Sequence, residues 1–198
     1  MGYSTEDLSE NCYPGTTVLI NKLDIRSQAA LDDVERVVTG IHTVEIEKEK
    51  FDEPFTFEYY KSLHKRLFGD LYDWAGELRK VNLSKKGTNF SSTENLEEIG
   101  SAVFDRLQRK KEFRDLRRKA FVKEIADLYH SINMLHPFRE GNGRTQRLFF
   151  TLLIRRAGYD INFSATDTDA LMIATIYAAQ GVMDYLREYF DQTIIPHQ

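Results

Sequence analysis

An all-α fold carrying one small β-hairpin is what this sequence predicts, on three observations. Apolar residues recur at three- and four-residue steps through most of the chain, the helical period. Alternation of period two is confined to Leu78-Arg79-Lys80-Val81-Asn82-Leu83. No repeat, linker or low-complexity tract divides the 198 residues, of which 41% are hydrophobic, so the expectation is one domain over 1–198 that can bury roughly 70% of its unfolded surface.

Residues 1–26 read as an arm packed on the domain, with a turn at Tyr13-Pro14-Gly15 and a short apolar run, Val18-Leu19-Ile20. The helical core occupies 27–198. From Ser27 the set Ala30, Val34, Val37, Ile41 and Val44 predicts a helix to about Lys48 with a charged outer face. Gly40 interrupts it and predicts close packing against another element. A second helix spans 57–68, with Tyr60, Leu63, His64 and Leu67 on one side and Gly69 closing it. Tyr72 and Trp74 predict an aromatic anchor in the core. The alternating stretch then turns through 84–88 and returns at Asn89-Phe90, a hairpin over about 78–90. Ser91 and Glu94 read as a capping box that opens a helix through Leu96, Ile99, Val103 and Leu107. The basic run 109–119 reads as a solvated loop, because only Phe113 interleaves it. Phe121, Ile125, Leu128, Tyr129, Ile132 and Leu135 carry the next helix, and Leu148, Phe149, Leu152 and Leu153 the one after it, ended by Gly158. A helix capped near Asp167 or Thr168 runs to Gln180, Gly181 breaks it, and 182–191 is amphipathic.

Bulk composition narrows the function classes. A net charge of −4 argues against a general nucleic-acid binder. The lone Cys12 cannot form an internal disulfide and suggests a reducing compartment. The N-terminus is polar and acidic, no stretch is long enough to span a bilayer, and Glu6 stands where a myristoylation signal after Gly2 wants Ser or Thr. A cytoplasmic protein with no membrane and no direct nucleic-acid partner is expected.

Chemistry concentrates in His136-Pro137-Phe138-Arg139-Glu140-Gly141-Asn142-Gly143-Arg144-Thr145-Gln146-Arg147. Pro137 ends the incoming helix and pushes His136 out of the α region into a loop. Gly141 and Gly143 around Asn142 allow backbone N–H groups to turn inward on an anion. The helix that begins there aims its dipole at the same place. Arg144 and Arg147, three apart, share a helix side and could reach successive phosphates of a polyphosphate. This is no Rossmann fingerprint, since it follows a helix and lacks a third glycine, and no His-Glu-x-x-His metal pair exists. His136 stands beside a carboxylate and an anion nest, which together supply base, metal ligand and phosphate cradle.

These residues match every defined position of the Fic family signature, His-x-Phe-x-Asp/Glu-Gly-Asn-Gly-Arg-x-x-Arg, and the chain resembles that family through most of its length. The resemblance implies a Fic-fold helical bundle that transfers AMP from ATP to a protein Ser, Thr or Tyr hydroxyl. It makes His136 the base, Glu140 the Mg²⁺ ligand, and Gly141, Asn142, Gly143, Arg144 and Arg147 the phosphate-binding set. Phe138 is expected to anchor the loop by packing inward, and Tyr177 and Gln180 are candidates to reach adenine. The hairpin residues Leu83, Ser84, Lys85, Lys86, Gly87, Thr88, Asn89 and Phe90 match the family's flap, which lays a target segment alongside itself by strand addition.

Two other readings compete. A kinase of the Doc type resembles this fold but transfers the γ-phosphate; there a lysine follows the motif's asparagine, and Gly143 argues for AMP instead. A non-catalytic helical interaction module would use the basic 109–119 segment. Resemblance also bears on regulation. Fic enzymes are held off by a helix carrying Ser/Thr-x-x-x-Glu-Gly/Asn whose glutamate meets the final arginine, Arg147. Only Thr43 with Glu47 and Thr93 with Glu97 have the spacing, and Lys48 and Glu98 follow them. A small helical antitoxin on a separate chain is therefore expected, with type II topoisomerase subunits as the targets that resemblance to compact Fic toxins suggests.

Overall fold

Side chains cap the starts of three helices, and glycine or proline follows closely on the ends of several. The structure, a computed structural model, describes residues 4–5, 10–50 and 52–197; the reading of Gly2 and Glu6 lies outside these. Its helices are α1 (Gln28–Lys48), α2 (Phe57–Phe68), α3 (Leu96–Arg109), α4 (Arg118–Leu135), α5 (Asn142–Arg156), α6 (Thr168–Ala179) and α7 (Asp184–Thr193). Ser27, Thr56 and Asp167 cap α1, α2 and α6 by accepting first-turn N–H groups. Gly158 at φ +85° and Gly181 at φ +92° terminate α5 and α6 in the left-handed region.

Helix α4 runs through the middle of the bundle, packed against α3, α5, α6 and α7. Its six apolar stripe residues, Phe121 to Leu135, are all buried. Helix α5 packs on α1, α2 and α4. Between α2, α3 and α5 lies an aromatic cluster in which the Tyr60 ring stands 5.3–5.6 Å from Phe104, Phe138 and Phe149. Tyr72 stacks on Trp74 at 4.4 Å, as the core anchor requires.

Four expectations change. Helix α1 buries Leu31, Glu35, Thr39 and Ile46, whereas Val37, Ile41 and Val44 are exposed. The face turned inward is the one whose Glu35 serves Tyr72 and Arg144. Gly40 has nothing within 4 Å of its would-be Cβ, so it packs on no neighbour in this chain. The hairpin is shorter than the alternation suggested, with β2 (Leu83–Lys85) and β3 (Thr88–Asn89) joined by Lys86 and Gly87, both at positive φ. Residues 78–82 stay out of the sheet because Arg79 turns inward and is 4% exposed. Ser91 forms no capping box; its hydroxyl donates to Met134 O at 3.1 Å, and a 3₁₀ turn at Thr93–Asn95 leads into α3.

The outer edge of the flap is occupied. A short strand β1 (Ser4–Thr5) pairs antiparallel with β2, Ser4 opposite Ser84 and Thr5 opposite Leu83, so the sheet order is β1-β2-β3. A second small pairing joins β4 (Tyr159–Asp160) to β5 (Ile195–Pro196). The 109–119 segment is a solvated loop only in part: Lys110 meets Glu124, Lys111 meets Asp115 and Arg118 meets Asp191 at the surface, but Glu112 and Phe113 are buried and α4 has begun by Arg118. Among the described residues no helix is long and apolar enough to cross a membrane.

Candidate active site

His136 is the first residue past α4 and adopts φ 44°, ψ 60°, the left-handed region. The pre-proline rule leads one to expect extended backbone there. Three hydrogen bonds hold the strained conformation instead: His136 N–H donates to Ile132 O at 3.1 Å, Arg79 Nε donates to His136 O at 2.8 Å, and Arg79 N–H donates to Pro137 O at 2.8 Å. Arg79 also donates to the carbonyls of Val81 and Ser91, so one buried guanidinium ties the base of the flap to the loop.

The imidazole's tautomer follows from its neighbour. His136 Nδ1 lies 3.2 Å from Asn133 O, and a carbonyl only accepts, so Nδ1 carries the proton and Nε2 the lone pair. Phe90 of the flap stacks on the ring at 3.7 Å with planes 8° apart. Burial pulls the His136 pKa down to about 3; the Asn133 carbonyl works against this, and the charges of Lys85 and Arg79 reinforce it. The ring is neutral at pH 7, the state a base needs.

A cleft of about 200 Å³ opens in front of His136. The motif lends it His136, Gly143, Gln146 and Arg147; the flap lends Lys85, Lys86, Thr88 and Phe90; α4 lends Tyr129 and Asn133; and α6 lends Thr168, Leu171, Met172, Thr175 and Ile176. A methyl group placed on Gly143 would come within 3.2 Å of Arg147 Nη1, so that guanidinium lies over the first turn of α5. No side chain caps this turn, and its cap Gly141 sits at φ 78°. Among the described residues Arg147 has no carboxylate partner.

The rest of the motif faces the protein. Asn142 is 2% exposed, and its amide accepts from Phe138 N–H at 2.9 Å and donates to Phe138 O at 2.7 Å, so it braces the loop and does not line the cleft. Gly141 N–H donates to Glu140 Oε1 at 2.8 Å. Arg144 leaves the side shared with Arg147. It pairs with the buried Glu35 of α1, which also accepts from the Tyr72 hydroxyl, and its guanidinium lies 4.7 Å over the Phe68 ring. A buried carboxylate requires a counter-ion, and Arg144 is the cation within reach. Phe138 is fully buried, as expected.

Glu140 does not line the cleft; its carboxylate has Arg144 Nη2 3.8 Å from Oε1. Burial raises its pKa; the Gly141 N–H, Arg144 and Lys85 oppose the rise and Glu35 adds to it. No group of three His, Cys, Asp or Glu able to hold a metal exists among the described residues. A single carboxylate fits Mg²⁺ that completes its shell with phosphate oxygens and water, and does not fit an all-protein metal cage.

Tyr177 and Gln180 do not line the cleft. Tyr177 is 40% exposed and packs on Tyr185 at 4.5 Å, while Gln180 is the C-cap of α6. Of the α6 residues that do face the cleft, Met172 and Ile176 form a row that Gln180 continues one turn further on, while Tyr177 points from an adjoining face. Of the flap set, Leu83 is buried inward, and Ser84, Gly87 and Asn89 do not line the cleft.

Known proteins resemble this chain in sequence and in fold. The model of the family described as Fic/DOC matches residues 54–154. The protein adenylyltransferase VbhT of Bartonella schoenbuchensis is 34% identical over 87% of this chain and 36% of its own length. The probable protein adenylyltransferase Fic of Escherichia coli K12 is 31% identical over 92% of this chain and 90% of its own. This chain thus spans little more than a third of the Bartonella schoenbuchensis and Bartonella henselae relatives, 36% and 37% of their lengths. Among solved structures, BepC of Bartonella tribocorum with bound AMPPNP superposes with a TM-score of 0.90 at 25% identity, covering 96% of this chain and 98% of that one. The type IV secretion effector BepA gives a TM-score of 0.87 at 30% identity, covering 93% and 68%.

Proposed function

The chain belongs to the Fic/DOC family, and from that premise we propose that it is a protein adenylyltransferase using ATP. One observation carries the reading most directly: His136, with the lone pair on Nε2, the open first turn of α5 and Arg147, which meets no carboxylate among the described residues, share a single cleft. The target hydroxyl oxygen attacks the α-phosphorus, the new P–O bond forms as the bond to the bridging α,β-oxygen breaks, and pyrophosphate leaves. The hydroxyl proton passes to Nε2. Burial alone makes His136 a weak base, and the negative charge of the triphosphate strengthens it when it enters the cleft. Arg147 and the amides at the α5 N-terminus orient the phosphates. Glu140 would hold Mg²⁺, which when bound offsets the charge building on the departing pyrophosphate. Leu171, Met172 and Ile176 offer the apolar wall for the adenine.

The target docks at the flap. Because β1 already pairs with β2, an incoming segment takes its place on that edge by strand exchange, with the modified hydroxyl beside Phe90 and His136. We place the restraint of activity on a separate antitoxin chain. Both glutamates with inhibitor-like spacing are engaged elsewhere, Glu47 with Arg155 at 2.6 Å and Glu97 with Lys61 at 3.3 Å. Type II topoisomerase subunits are the first targets to try, on the resemblance to compact Fic toxins.

The test is incubation of the purified chain with Mg²⁺, ATP labelled at the α-phosphorus and a cell lysate. Label should appear on protein and vanish with His136→Ala. Equal labelling by that variant overturns the assignment of the base, and label that follows the γ-phosphate reverses the choice in favour of the Doc-like kinase.

A further inference from the structure

Resting on the adenylyltransferase reading, we propose that His64 of α2, outside the motif, is the positioning residue for Glu140 and hence for the divalent cation. His64 is 0% exposed and lies between Phe138 at 3.8 Å and Phe68 at 4.8 Å, stacked on both. Gly76 N–H stands 2.8 Å from Nδ1 and can only donate, so Nδ1 accepts and the proton sits on Nε2. Nε2–H then donates to Glu140 O at 3.0 Å. The donor is fixed from behind: a Cβ on Gly76, at φ +87°, would come 2.9 Å from Lys65 Cβ and 3.2 Å from Lys61 O, so Gly76 lies hard against α2.

That carbonyl belongs to the peptide plane joining Glu140 to Gly141. On its other side the same plane presents the Gly141 N–H, which donates to Glu140 Oε1 at 2.8 Å. His64 therefore sets the rotation of the plane, and the plane sets the direction of the carboxylate. Gly141, at φ 78°, would otherwise let this peptide turn over. Hydrogen-bond partners of metal ligands that lie one shell out govern metal affinity by about 10–100-fold when mutated.

The discriminating experiment titrates Mg²⁺ into calorimetric measurements of AMPPNP binding for the parent, His64→Phe and His64→Gln. Phenylalanine keeps the ring stack and deletes both hydrogen bonds, while glutamine retains a donor and an acceptor. His64→Phe should need about 10-fold more Mg²⁺ to reach its tight-binding state, with unchanged AMPPNP affinity in the absence of Mg²⁺. His64→Gln should return to within about 3-fold of the parent. An unchanged Mg²⁺ requirement in folded His64→Phe overturns the inference alone; a parent that binds no AMPPNP overturns the functional reading and the inference with it. Should His64→Phe fail to fold, the parent's own His64 Nε2–H resonance decides. It must shift when Mg²⁺ joins the AMPPNP complex, and a resonance indifferent to Mg²⁺ overturns the proposal.

Discussion

Acidification should weaken this fold through two histidines that it buries uncharged. His64 and His136 are 0% and 7% exposed, and burial brings each pKa from the ordinary 6.5 down to about 3. Between those values the unfolded chain carries protons that the folded chain refuses. The stability each histidine contributes is therefore complete above pH 6.5 and is lost as pH falls toward 3. From pH 7 to pH 5 the loss amounts to about 2 kcal/mol per histidine, about 4 kcal/mol for the pair. The raised pKa of Glu140 acts in the opposite sense, since the folded state takes up that proton more readily, so the total alone is not diagnostic. His64→Gln isolates one contribution, because glutamine does not titrate. Urea unfolding of parent and variant at pH 7 and pH 5 measures the difference: the variant should lose about 2 kcal/mol less than the parent on acidification. A variant that loses as much as the parent would show that His64 takes up its proton without unfolding the protein, and the reasoning from burial would fail.

Other consequences separate the two arginines, the glycine of α1 and the strand on the flap. Arg144→Ala strips the counter-ion from buried Glu35 and should lower stability by about 3 kcal/mol in thermal or urea unfolding, whereas Arg147→Ala should leave stability within about 0.5 kcal/mol and weaken AMPPNP binding about tenfold in calorimetry. The reverse pattern would return Arg144 to the nucleotide. Gly40→Ala, in a helical and open position, should stabilise the protein by about 1 kcal/mol, a rise in Tm of about 2–4 °C; a fall would reveal a neighbour for this face. Removing residues 1–5, and β1 with them, should raise kcat/KM for a protein target while leaving AMPPNP affinity unchanged; a drop would make β1 part of the docking site.

How much of this was legible in the sequence depended on what each signal measures. Periodicity counts apolar residues on a helix, so α4, with one dense stripe, could be read correctly down to its buried residues. Helix α1 carries two candidate stripes, Leu31-Val34-Val38 and Val37-Ile41-Val44, and period alone cannot choose between them. The choice was made by Glu35, a residue whose partners lie 37 and 109 positions away in the chain. Arg79 was invisible for a similar reason. A basic residue in an alternating stretch reads as the solvated side of a strand, whereas here it is buried because three carbonyls converge on it. His64 did leave a trace, a histidine in line with Tyr60, Leu63 and Leu67 on a buried face. Its two partners could not be read from that trace. The two adenine candidates differ in helical phase: Tyr177 sits off the α6 face that Met172, Thr175 and Ile176 present to the cleft, whereas Gln180 shares the row of Met172 and Ile176 and lies one turn beyond them at the helix end.

The motif itself divides by direction, and the division explains why so many positions are specified for so small a cleft. His136, Gly143 and Arg147 face the space where phosphates would sit. Phe138, Asn142 and Arg144 face away, into the Tyr60–Phe149 cluster, the loop's own backbone and Glu35. The second set fixes the first: Asn142 closes the loop on Phe138, Phe138 stacks on His64, and Arg144 fastens the first turn of α5 to α1. His136 at positive φ would relax toward the extended backbone that Pro137 favours if these contacts were absent. On the proposed reading, a base and an anion site that address one phosphorus atom tolerate little relative motion. With His136 opening the 136–141 connection and the first turn of α5 closing it, their separation depends on that loop's conformation. The inward-facing residues of the motif, together with His64 and Arg79 beyond it, remove the loop's freedom at the carbonyls of His136, Pro137, Phe138 and Glu140.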